Sequence, residues 1–97
     1  MEGKKWDTGK LRYDLLDYKS IDELARVLTY GANKYGDNNW QGVEEHRYQA
    51  ALGRHFSEYM QGRKYDDESG IHHLSHVMAN VMFLLYKERE KEYKKEA

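Results

Sequence analysis

Three stretches of the chain repeat apolar residues at intervals of three and four, and glycines stand between them. Ile21, Leu24, Ala25, Leu28, Ala32 and Tyr35 form the first run, which predicts a helix over 20–36. Ser20-Ile-Asp-Glu23 has the form of a capping box at its start. Gly36, followed by Asp37-Asn38-Asn39, is placed to end it in a turn. A second helix is predicted over 43–61, with Tyr48, Leu52, His55, Phe56 and Tyr59 on one side and Arg47, Ala51, Arg54 and Glu58 on another. Gly62 stops it, and Arg63-Lys-Tyr-Asp-Asp-Glu68 is a charged connector. The third helix is predicted over 69–94, opened by Ser69 or Asp67 as a cap and ending in a solvated mixed-charge run.

That third helix carries two stripes. Leu74, Val77, Met78, Val81 and Leu85 are apolar. His73, His76 and Asn80 fall within about 60° of one another on a second face, roughly a quarter turn away. Ser69 and Lys87 fall on the same polar stripe. Both stripes are expected to look inward. No segment alternates apolar and polar residues for long, so the fold class is all-α: a small bundle of about three main helices. Residues 1–19 are expected to be an ordered arm that packs Trp6, Tyr13, Leu15, Leu16 and Tyr18 onto the helices. The chain has no proline, which permits long uninterrupted helices.

The length, 97 residues, fits one domain spanning 1–97. A domain this small leaves much apolar surface uncovered, so a homo-oligomer is expected. The formal net charge of -1 gives no field for a nucleic-acid polymer. No apolar run approaches the roughly 18 residues of a membrane span. The start of the chain lacks a signal-peptide pattern, and there is no cysteine. A cytoplasmic setting, without membrane partners, is the expectation.

The polar stripe has three readings. It is a core network, a metal site built on His73 with His76 or His72 with His76 and a carboxylate from the connector, or a surface that hydrogen-bonds a phosphorylated or heteroaromatic ligand. Imidazoles suit zinc-like cations, whereas Mg²⁺ wants carboxylates, for which Asp66 and Glu68 are best placed. Glu58 is a weaker acidic candidate. Lys10, Arg12, Lys34 and Arg54, with Arg47 beside it, are candidates for phosphate. Tyr35, Asn39 and Trp40 frame a Gly-Asp-Asn-Asn turn where an aromatic ring can stack on a base. No phosphate loop and no dinucleotide fingerprint is present.

Several blocks in order resemble a largely viral family, the dATP/dGTP diphosphohydrolase N-terminal domain. They are Trp6-Asp-Thr-Gly-Lys-Leu-Arg-Tyr-Asp-Leu-Leu16, Val27-Leu-Thr-Tyr-Gly-Ala-Asn-Lys-Tyr-Gly36 with Asn39-Trp40, Ala50-Ala-Leu-Gly-Arg-His55, and Asp66-Asp-Glu-Ser-Gly-Ile-His-His-Leu-Ser-His76 with Asn80. The resemblance implies an all-α fold like the helical nucleoside triphosphate pyrophosphohydrolases, which cut a dNTP to a monophosphate and pyrophosphate with Mg²⁺, as dimers or tetramers. In those enzymes paired carboxylates hold the metal. Here His73, His76 and Asn80 stand where such a pair is expected, the second helix has no ExxE, and Asp17 stands where proline is expected. In the enzymatic version Asp66 and Glu68 hold Mg²⁺, and Glu58, His73 and His76 are catalytic. Lys10, Arg12, Lys34 and Arg54 bind phosphates, Trp40 stacks on a purine, and Tyr35, Asn39, His55 and Asn80 complete the ligand site. The alternative is a non-catalytic viral protein that sequesters a nucleotide or nucleotide-derived immune signal.

Overall fold

The computed structural model describes residues 8–96, and Trp6 with the first part of the arm lies outside them. Three helices follow one another: α1 (Tyr18–Tyr35), α2 (Glu45–Met60) and α3 (His73–Glu96). Short 3-10 turns occupy Tyr13–Leu15 and Asn39–Gly42. The all-α expectation holds among the described residues, where extended pairing is limited to a single bridge between Tyr65 and His72.

Helix ends show where local chemistry overrode the sequence pattern. α1 begins at Tyr18, not Ser20. The Asp17 carbonyl accepts the Ser20 and Ile21 amides at 3.0 and 3.2 Å, and the Ser20 hydroxyl donates to the Asp17 carboxylate at 2.7 Å. The capping box therefore does not form. Glu23, freed from it, accepts the Ser75 hydroxyl of α3 at 3.0 Å. Gly36 ends α1 at φ 99°, and Gly62 follows α2 at φ 90°, both backbone conformations that suit glycine. α3 starts at His73, four residues later than expected, because the connector folds on itself first. Asp66 and Ile71 pair through the backbone at 2.9 Å, and Ser69 donates its amide to the Asp66 carboxylate at 2.8 Å. The His73 amide reaches the Lys64 carbonyl at 2.7 Å, and the His72 ring accepts the Leu74 amide at 3.0 Å. Ser69 and Asp67 thus do not cap α3; the His72 imidazole does.

Both α1 and α2 lean on α3 and not on each other. Val27, Ile71 and Ala79 form a small core, with Leu24, Tyr30 and Phe83 packed against it. Beside it an aromatic cluster joins the Asn39–Gly42 turn to the helices. The Trp40 ring stacks on Phe83 at 5.0 Å and meets Tyr86 edge-on at 4.9 Å, and Tyr48 lies 4.6 Å from Phe83. Tyr48 also donates to the Trp40 carbonyl, and Lys87 to the Gln41 carbonyl at 2.7 Å. The loop after α1 is therefore fixed to α2 and α3.

The two stripes of α3 do not both look inward. His73, Ser75, His76, Ala79 and Asn80 are buried. Leu74, Val81 and Leu85 stand 38, 43 and 55% exposed. The polar face is buried because every member finds a partner, as a buried polar group must. The apolar face points away from α1 and α2. The arm is likewise uncovered: Tyr13, Leu15, Leu16 and Tyr18 are exposed, and their turn packs on no other element. Its order comes from local bonds, Leu15 to Arg12 and Leu16 to Tyr13, both 3.1 Å. Among the described residues, the expected packing of arm aromatics onto the helices is absent.

Candidate functional site

Because α1 and α2 both pack on α3 and not on each other, a cleft of about 830 Å³ opens between them. The second half of α1 forms one wall, ending in Lys34, Tyr35 and the Asp37-Asn38-Asn39 turn with Trp40. Arg47, Ala51 and His55 of α2 form the other, at intervals of four residues that keep them on one helix face. The floor is the buried polar face of α3, His76 and Asn80, with Phe83 beyond, and Asp66 and Glu68 close one side.

The floor is a connected hydrogen-bonded set. The His55 and His73 Nδ1 atoms lie 2.9 Å apart, so one ring donates to the other. His55 also stacks flat on His76, with centroids 4.3 Å apart. His76 Nε2 meets the Ser69 hydroxyl at 2.7 Å, and Asn80 donates to the His76 carbonyl at 2.8 Å. Burial holds His55 down to about 4, helped by the adjacent His76 and opposed by Asp66. His76 is lowered as well, again chiefly by burial. Both rings are neutral at pH 7, so they act as hydrogen-bonding groups and not as cations.

Charge sits at the rim. Lys34 pairs with Glu68, whose carboxylate also accepts the Tyr30 hydroxyl at 3.1 Å. The pairing raises Lys34 and lowers Glu68. Lys34 lies over the Tyr35 ring, 5.2 Å from its centroid. Arg47 stands 4.0 Å from Glu44, a weak exposed contact.

Of the residues singled out from sequence, Lys34, Tyr35, Asn39, Trp40, His55, Asp66, Glu68, His76 and Asn80 all line this one cleft. His73 lies behind it, joined through His55. Arg54 is exposed and outside the lining, because α2 turns its Arg47–Ala51–His55 face inward. Glu58 is tied to Arg63. Lys10 and Arg12 lie on the arm, where Arg12 pairs with Asp14 at 2.6 Å. Tyr30 and Tyr48 are site residues that the sequence does not single out, and Arg47, offered there only as a phosphate candidate beside Arg54, faces the cleft. The four-residue spacing of Arg47 from Ala51 and His55 was the signal for the last.

Mg²⁺ takes an oxygen-rich octahedral set. Among the described residues, the group whose donor atoms converge is His55, Asp66 and His73, all within 4.8 Å of one another. Glu68 is engaged by Lys34 and Tyr30. Two nitrogens and one carboxylate do not suit Mg²⁺.

A family model described as dATP/dGTP diphosphohydrolase, N-terminal, matches residues 1–97. A relative, the dATP/dGTP diphosphohydrolase of Salmonella phage PMBT28, is 41% identical over 86 residues. The match covers 89% of this chain and 30% of that protein, so the chain spans less than a third of its relative's length. No solved structure matches the chain.

Proposed function

We propose, on the ground that this chain belongs to the dATP/dGTP diphosphohydrolase N-terminal family, that its cleft binds a purine nucleotide. One observation carries the reading: a cleft of about 830 Å³ that brings together two cations, exposed aromatic surface and a neutral hydrogen-bonding floor. That volume lies within the usual range for small-molecule sites. Lys34 and Arg47 are the cations of the cleft, and so its phosphate ligands. Lys34 exchanges Glu68 for phosphate when a ligand arrives. Tyr35 and the uncovered side of Trp40 offer faces for the base, and Asn39, His55, His76 and Asn80 offer hydrogen bonds to base and sugar. Because the imidazoles are neutral, the base and sugar suit the floor and the phosphates suit the rim.

Cleavage to a monophosphate and pyrophosphate is a second reading, favoured by the name of the relative. In it His76 on the cleft floor, with His73 behind it and Glu58 once released from Arg63, would move protons, and Asp66 and Glu68 would be the carboxylates nearest a phosphate-bound cation. Product analysis separates the two. The protein is mixed with dATP, dGTP and their ribonucleotide counterparts, and the mixture is chromatographed. Ligand retained and recovered intact supports binding; monophosphate with pyrophosphate supports cleavage; no retention of any purine nucleotide overturns the proposal.

Self-association belongs to the same reading. The outer face of α3 and the apolar arm need cover. Lys10 and Arg12, outside the lining of their own chain's cleft, would then serve a neighbouring copy. Among the described residues no helix is long and apolar enough to cross a membrane.

A further inference from the structure

The convergence of His55, Asp66 and His73 comes from three separate segments: the middle of α2, the connector and the first residue of α3. We propose that these three side chains bind a borderline divalent transition metal such as Zn²⁺ or Co²⁺, with open coordination positions facing the cleft. Two imidazoles and one carboxylate are a donor set for such ions, and three protein ligands leave room for a further one. The donor atoms already lie within 4.8 Å of one another, and the two Nδ1 atoms are 2.9 Å apart. Around a tetrahedral ion with bonds of about 2.0–2.1 Å, two nitrogens stand roughly 3.3 Å apart. The rings need to part by only a few tenths of an ångström. Binding replaces their mutual hydrogen bond: both Nδ1 lone pairs turn to the ion, and both rings carry their proton on Nε2.

The ligands are held in place by groups outside the site. Ser69 fixes one oxygen of Asp66 at 2.8 Å, and the Asp66 backbone is paired to Ile71 at 2.9 Å. The His73 amide is anchored on Lys64 at 2.7 Å. His76 stacks on His55 and limits its rotation. His55 and Asp66 line the cleft, which gives the ion its access.

The test uses the full chain, free of any affinity tag and stripped with a chelator, with no nucleotide present. Co²⁺ is titrated while its visible ligand-field absorption is recorded, and Zn²⁺ is titrated by calorimetry. One ion per chain is expected. Asp66→Asn and His55→Gln should each weaken binding at least about tenfold with an unchanged circular dichroism spectrum. His46→Gln, on an exposed ring, should change nothing. His73 is buried, so its replacement is not needed for the decision. The proposal is overturned if the wild type shows no saturable binding, or if Asp66→Asn and His55→Gln bind as the wild type does. The nucleotide titrations contain no transition metal, so either reading can fail without the other.

Discussion

The His55 ring is held neutral by its surroundings, and that fact links the site to the stability of the fold. Its ordinary value is 6.5, and burial lowers it to about 4 in the folded protein. Stability from a lowered group is full above 6.5. It is lost as pH falls toward 4, where the unfolded chain takes up a proton that the folded one refuses. His76 is lowered in the same sense. The melting temperature should therefore fall between pH 6.5 and 4, ahead of the lower window in which the carboxylates Asp66 and Glu68 take up protons. His55→Gln should flatten the upper part of that curve. A melting temperature that is level across this window would remove the argument for a neutral floor. At the rim, Lys34→Ala should weaken a purine nucleotide about tenfold or more, as expected for a charged hydrogen bond. The fold should be intact, because Lys34 is exposed.

Glycine and asparagine at the end of α1 shape the wall of the cleft. Gly36 has φ 99° and ψ 158°, a region nearly closed to other residues. Gly36→Ala should cost about 1–3 kcal/mol in urea unfolding. Asn38→Gly, at φ 60°, should be close to neutral. Helix periods, the glycine stops and the inward polar face of α3 were all legible in the sequence, because each depends on residues three or four apart. What resisted reading was tertiary. Periodicity shows that Leu74, Val81 and Leu85 share a face, but not what that face meets. Ser20 met the pattern of a capping box, yet Asp17 stood three residues earlier and took its hydroxyl. The start of α3 depended on the Asp66–Ile71 fold of the connector, which has no period to read. The meeting of His55, Asp66 and His73 joins residues 18 apart or connector to helix, and only the crossing of α2 on α3 creates it.

At the scale of the whole molecule, several large apolar side chains stand open to solvent. Leu11, Leu15 and Leu85 are 82, 72 and 55% exposed. Burial of such side chains releases about 25 cal/mol per Å² of apolar surface. Light scattering at micromolar concentration should report a dimer or larger assembly, and Leu85→Glu should lower that mass. A monomeric wild type would leave the outer face of α3 to a different partner. Calorimetric titration with dGTP and dATP reads the nucleotide cleft itself. Run once with chelator and once with Mg²⁺, it should show saturable binding that Lys34→Ala and Arg47→Ala both weaken. Absence of binding under both conditions, or affinity that neither substitution changes, would mean that this cleft is not a nucleotide site.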